Sequence, residues 1–376
     1  MNDREAQTRA QAMLDELVER GEELGLQVAA YLDGRLVVDA WAGIADASTG
    51  RPVEADTLFT CFSCTKGITA TVVHLLVQRG MLAYTDPIAR FWPEFAANGK
   101  ADITVEQALT HRAGIPHWPA AVQPSDLADW QFVCEQIARL DPAWEPGTRS
   151  CYHSITFGHI LGELARRVDG RSLPRLVQEE ICAPLGMSDL YLGLPDAVAS
   201  RVAFLEDRVL QPGDPQPEPG SLAARAVPPA FSPLGEVFNR PEVRRACVPG
   251  AGGIMSARAL ARQYAALVGE VDGVRLLSDE TVRIVSRLQT DEVDCVAGWR
   301  VPKGMGYFVA RPVSPVGPWP GVFGHDGYGG SVGLADPRHR FAFALTKTRL
   351  TAAEPGRTAA LHVADVVRST LGLPGA

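Results

Sequence analysis

Residues 26–43 read LQVAAYLDGRLVVDAWAG, two apolar, β-rich runs on either side of Asp33-Gly34. Asp-Gly between such runs is a strong hairpin signal, because a two-residue type I′ turn needs positive φ at both positions. Upstream, residues 4–24 space Ala10, Met13, Leu14, Leu17 and Leu24 among acids and arginines, so a helix with one apolar stripe leads into the hairpin. At the other end, GVFGHDG (321–327), GSVGLAD (330–336) and RFAFALTK (340–347) read as short strands. Asp336-Pro337-Arg338 supplies a turn between the last two, and residues 357–371 read as a closing helix. Helix and hairpin at one terminus, strands and helix at the other, predict a single antiparallel sheet built from both ends.

The middle of the chain is different. From Ala89 to about Glu206 the pattern is mostly helical. Ile103 begins a short helix stopped by Gly114 and Pro116, and residues 155–168 form another. Residues 207–243 carry eight prolines and little periodicity, too long for a plain connector. They form either a surface excursion or a lid over a cleft. Ser256 is an N-cap where a helix resumes.

At about 150 residues per domain, 376 residues make two domains or one large one. The 46% hydrophobic and 21% charged fractions exclude a disordered chain. A formal charge of -8 without a positive stripe argues against a nucleic-acid partner. No 18-residue apolar stretch exists, so no membrane span is expected. The N-terminus lacks a signal-peptide core. Seven scattered cysteines, an odd number, fit a reduced cytoplasmic protein better than a disulfide framework. Of 36 basic residues only Lys66, Lys100, Lys303 and Lys347 are lysines, which singles each one out.

Ser63-Cys64-Thr65-Lys66 opens the apolar stretch 64–79, which reads as a buried helix ended by Gly80. Positions i and i+3 share a helix face, so the Ser63 hydroxyl and the Lys66 amine are neighbours. Serine needs an adjacent base to act as a nucleophile, and lysine serves only if its pKa falls well below about 10.4. The pair alone is weak, since an N-cap serine followed by a solvated lysine looks the same. Gly329-Gly330-Ser331-Val332-Gly333 matches a nucleophile elbow, but strand rather than helix follows it. Cys61-x-x-Cys64 lacks the further ligands of a zinc site and a thioredoxin-like context. His74, His159 and His362 lie in helical patterns and read as structural, and His111 opens a turn that it is expected to cap.

FSCTKGITA (62–70), THRAGIP (110–116), PGTRSCYHS (146–154), APLGM (183–187) and FGHDGYGGS (323–331) occur in this order. With that spacing the chain resembles the serine β-lactamase-related family from about residue 20 to 370. The group includes class C β-lactamases, D-alanyl-D-alanine peptidases, family VIII-type esterases and transacylases. The resemblance implies an α/β fold of the β-lactamase/transpeptidase type, an antiparallel sheet flanked by helices. Residues 1–88 and 250–376 would form that part, and 89–249, with the Pro-rich loop 207–243, a helical insert. It implies Ser63 as the acylated nucleophile, Lys66 as its base and Tyr152 as the proton shuttle, its phenol lowered by a nearby ammonium. The oxyanion donors would be the backbone N–H groups of Ser63 and Tyr328. His325, Gly327 and Trp118 would contact substrate.

Two motifs depart from the family pattern. Ser154 stands in place of the asparagine of Tyr-x-Asn, and His325-Asp326-Gly327 in place of Lys-Thr-Gly. A histidine is neutral or half-charged near neutral pH, which weakens the case for carboxylate-bearing β-lactams. Lys347-Thr348 is followed by Arg349 and is a poor substitute. The expected function is a serine hydrolase, without metal or cofactor, cleaving small esters through an acyl-Ser63 intermediate. The alternatives are a transacylase passing the acyl group to an amine or alcohol in secondary-metabolite biosynthesis, a β-lactamase, and a non-catalytic binding protein.

Overall fold

A computed structural model describes residues 3–208, 217–351 and 356–375. The hairpin forms as read. Strand β1 (Gly25–Leu32) pairs antiparallel with β2 (Arg35–Asp46), and Leu32 faces Arg35 across the turn. Asp33 and Gly34 take φ 47° and 75°. Gly34 is also pressed against the Glu270 carbonyl, where a Cβ would collide.

The hairpin extends into seven strands. Short β3 (Arg51–Pro52) lies outside β2. On the other side of β1 the C-terminal strands follow: β10 (Phe341–Lys347), β9 (Val332–Asp336), β8 (Phe323–Asp326) and β7 (Phe308–Val309). The order is β3-β2-β1-β10-β9-β8-β7, every pairing antiparallel, so both termini build one sheet.

Strand β1 is buried along its whole length because both faces are covered. Leu26, Val28, Ala30 and Leu32 pack with Leu14 and Val363 of the terminal helices Asp3–Glu19 and Ala359–Thr370. Ala29 and Tyr31 face the opposite way, into the core around helices Cys64–Gln78 and Ala257–Val268. This two-residue alternation is why the hairpin reads as a continuous apolar run. The fold is an antiparallel sheet flanked by helices, as the resemblance implies.

A second, small sheet sets up the site. Strand β6 (Gly253–Met255) sits between β4 (Phe59–Thr60) and β5 (Leu190–Leu192). It binds the segment just before Ser63 to the one just after Gly250.

The helix expected from Ile103 begins later, at Val105, because Thr104 and Gln107 form a reciprocal capping box. The Pro-rich stretch differs more. Its residues 209–216 lie outside the described ones. From 217 on it folds into short helices, including Leu222–Ala226 and Leu234–Asn239. It buries Phe231, Val237 and Phe238, so these residues are packed wall and not a loose excursion.

Gly34→Ala is expected to lower the unfolding free energy by about 1–3 kcal/mol, the usual cost of a side chain forced into that backbone region. Chemical denaturation reads it, and an unchanged midpoint would contradict the turn.

Candidate active site

Strand β4 delivers the chain into Cys61-Phe62-Ser63. The Cys61 N–H donates to the Gly253 carbonyl at 2.9 Å, and the Gly253 N–H donates to Thr65 Oγ1 at 2.8 Å. Between these anchors Phe62 takes φ 42°, unusual for a bulky residue. Its ring is held between Phe238 at 5.1 Å and Tyr328 at 5.8 Å. Ser63 follows as the N-cap of helix Cys64–Gln78, but its side chain makes no capping bond. The hydroxyl is therefore left for other partners.

One turn on, Lys66 is fully buried. Its Nζ lies 3.0 Å from Ser63 Oγ and 2.7 Å from each of the Ser154 and Gly250 carbonyl oxygens. These carbonyls come from distant segments that meet at Gly158 of helix Thr156–Asp169. Gly158 rests on the Pro249–Gly250 backbone so closely that a Cβ would collide with Gly250 N. Carbonyls only accept hydrogen bonds. A neutral amine has two N–H groups and one lone pair; with both N–H groups donated to carbonyls, the lone pair is left for the Ser63 O–H. Burial pushes the Lys66 pKa down to about 7, against a smaller upward pull from Asp326.

Tyr152 hydrogen-bonds Ser63 through its side chain, and Lys66 Nζ lies over its ring, 4.7 Å from the centroid. Burial drives its phenol well above the ordinary value, opposed by the Ser63 hydrogen bond. This corrects the expectation of a lowered phenol: the amine sits over the ring face, and desolvation of the phenolate dominates. The Tyr152 N–H donates to Asp294 Oδ2 at 2.7 Å. Buried Asp294 also accepts from Val296 and Ala297 and pairs with buried Lys303 at 2.8 Å. Cys151 and Cys295 form a disulfide across the same junction, with Cα atoms 5.5 Å apart. That corrects the reading of seven unpaired thiols; the other five cysteines are free.

Strand β8 closes the other side. A Cβ on Gly327 would collide with the Cys61 carbonyl, so this glycine lets the strand end abut the approach to Ser63. Among the described residues neither the Ser63 nor the Tyr328 N–H has a hydrogen-bond partner. His325 is buried, its ring 4.2 Å from that of Phe308 and 6.1 Å from that of Tyr152. Its Nδ1 faces the Asp326 carbonyl at 2.7 Å, so Nδ1 carries the proton and Nε2 the lone pair. Burial, helped by Lys66, pushes its pKa down to about 3. Beyond Tyr328 opens a cavity of about 1360 Å³, walled by Trp118 and by residues of the Pro-rich stretch. Trp118 packs edge-on against Phe231 at 5.8 Å and donates its indole N–H to the Val122 carbonyl at 3.2 Å.

The sequence model of the Beta-lactamase family matches residues 10–368. The chain belongs to this family. It is 37% identical over 340 residues to the esterase/beta-lactamase LipL of Mycobacterium tuberculosis (strain ATCC 25618 / H37Rv), covering 87% of this chain and 77% of LipL. The crystal structure of a family VIII carboxylesterase superposes with a TM-score of 0.87 at 34% identity, over 97% of each chain. A penicillin-binding protein homologue from Caulobacter crescentus gives 0.88 at 34%, again over 97% of each. The chain is thus a serine hydrolase of the β-lactamase family.

Within that family frame, Ser63, Lys66 and Tyr152 come together, with His325 behind Tyr152 and Gly327 beside Cys61. Trp118 stands apart from them, on the cavity wall. Ser331 is buried at the head of β9, with strand after it. His111 does not merely cap a turn: its ring lies 4.9 Å from that of Tyr152, and its Nδ1 accepts from the His153 N–H at 3.0 Å. The Ser154 backbone supplies an acceptor for Lys66 where the family carries an asparagine side chain. Sequence reasoning missed Asp294, which sits in a stretch without motif or period, and singled out Lys303 without giving it a partner. It also passed over Asp326 inside a motif that it quoted.

Lys303→Met leaves Asp294 charged, buried and unpaired beneath Tyr152. The unfolding free energy is expected to fall by about 3–5 kcal/mol. Urea unfolding at pH 7 measures it, and an unchanged midpoint would contradict the pairing.

Proposed function

We propose that the chain is a carboxylesterase that cleaves small esters through an acyl-Ser63 intermediate, with water as the acceptor. The observation that carries this is the Lys66 amine, held by two carbonyls so that its lone pair meets the Ser63 hydroxyl. Lys66 takes the Ser63 proton as the hydroxyl attacks the ester carbonyl. The N–H groups of Ser63 and Tyr328 stabilise the oxyanion. Tyr152, which keeps its proton, hands it to the leaving alkoxide, and the proton that Lys66 took from Ser63 replaces it. Water then attacks the acyl-enzyme by the reverse route. The cavity lined by Trp118 takes the organic part of the ester.

The name of LipL pairs esterase with β-lactamase activity. For this chain the esterase reading is favoured, because neutral His325 offers no cation for a β-lactam carboxylate. Transfer to an amine or alcohol would use the same acyl-enzyme. Among the described residues no helix is long and apolar enough to cross a membrane. The Cys151–Cys295 bond removes the unpaired-cysteine argument for a cytoplasmic location and favours a compartment in which disulfides persist.

Ser63→Ala is expected to abolish the acyl adduct seen by intact mass with a p-nitrophenyl ester. A variant that still acylates would sink the reading. Because Lys66 works as a base only when neutral, kcat/KM should rise roughly tenfold per pH unit below about 7 and level off above it. Lys66→Arg should cost on the order of 10²–10⁴-fold. A flat profile between pH 5 and 9 would contradict the assignment.

A further inference from the structure

The carboxylate of Asp326 is the group in this site that the chemistry above does not use. It follows His325 at the end of β8, just before Gly327. About a third of its side chain (35%) stays open to solvent. Yet enough protein surrounds it that burial pushes its carboxyl up to about 6. Its neighbours place it beside Ser63: the Cys64 thiol donates to the His325 carbonyl at 3.5 Å, and Gly327 abuts the Cys61 carbonyl.

Asp326 has little to satisfy it. Among the described residues no lysine or arginine pairs with it. Its contacts are its own backbone N–H and the ring of His325, whose Nδ1 lies 3.8 Å from Oδ1. That ring is neutral, so it supplies no countercharge. A second acceptor lies next to it: buried His325 Nε2 has no partner among the described residues. The lysine whose charge acts on it is Lys66, which must be neutral to act as the base. Two unmatched acceptors, one of them charged, therefore border the nucleophile. A carboxylate-bearing ester would be repelled there, and a ligand rich in N–H donors and positive charge would be held.

We propose that Asp326 is a specificity-determining residue, and that the preferred substrates are esters carrying a protonated primary amine, bound with the ammonium against the Asp326 carboxylate. This rests on the acyl-Ser63 reading and names the substrate class for it. The charge preference lies in this one side chain: converting it to an amide keeps its shape and removes its charge.

The test compares kcat/KM within matched ester sets. On the acyl side, p-nitrophenyl 6-aminohexanoate is set against p-nitrophenyl hexanoate and mono-p-nitrophenyl adipate. On the alcohol side, 6-aminohexyl butyrate is set against hexyl butyrate. In at least one set the amine ester should exceed its neutral match by about tenfold or more, the scale of a hydrogen bond to a charged group. The adipate should be the poorest acyl substrate. In Asp326→Asn the amine-to-neutral ratio should fall to about one, and in Asp326→Glu the preference should persist. Ser63-dependent hydrolysis with no amine preference in either set, or with a preference that survives Asp326→Asn, would overturn the proposal. If Asp326→Asn does not fold, the wild-type ratios and Asp326→Glu still decide it. Absence of Ser63-dependent turnover of every ester is a different result: it removes the hydrolase reading itself.

Discussion

A primary amine sealed from water must find partners for its N–H groups, and the arrangement around Ser63 follows from where those partners stand. Lys66 finds two carbonyls, of Ser154 and Gly250, and with both engaged its remaining valence faces Ser63. Desolvation holds the amine near neutrality, where it can accept a proton. The surroundings supply the rest. Tyr152 stays protonated, so it adds no negative charge to draw the proton back to Lys66. Asp326 is the larger of the charges that oppose the lowered pKa, and an ammonium bound against it would offset that pull.

Holding two carbonyls on one amine requires segments nearly a hundred residues apart to approach within van der Waals contact. Gly158 permits it on one side, and the small sheet of β4, β6 and β5 enforces it on the other. The large sheet then carries β8 to the same point, where Gly327 allows contact with the Cys61 backbone. A buried polar base of Asp294 and Lys303, tied in by the Cys151–Cys295 bond, fixes the remaining wall. Each of these is a close approach or a buried pair, the kind of contact whose loss is felt at once in a dense interior.

Much of this was legible before any coordinates. Asp33-Gly34 announced the hairpin because its turn chemistry is local, and the terminal strands announced themselves by period. Ser63, Lys66 and Tyr152 were legible as ordered motifs. The scarcity of lysine was also informative: all four lysines are buried, on carbonyls for Lys66 and Lys100 and on carboxylates for Lys303 and Lys347. A compact amine head fits such cages where a guanidinium does not. What could not be read was long-range. Nothing local says that the Gly250 carbonyl reaches Lys66, that Cys151 meets Cys295, or that Phe231 and Phe238 of a Pro-rich stretch are core. The raised phenol of Tyr152 was misread for the same reason, since burial is a property of the assembled fold.

The account stands on the protonation of one amine, and the small lysine count makes that amine observable. In protein labelled with ¹³C at lysine Cε, four signals are expected. One should titrate near pH 7 and be absent from the Lys66→Met variant. If the signal lost in that variant instead stays protonated past pH 10, Lys66 is an ordinary ammonium at neutral pH. It then cannot be the base for Ser63.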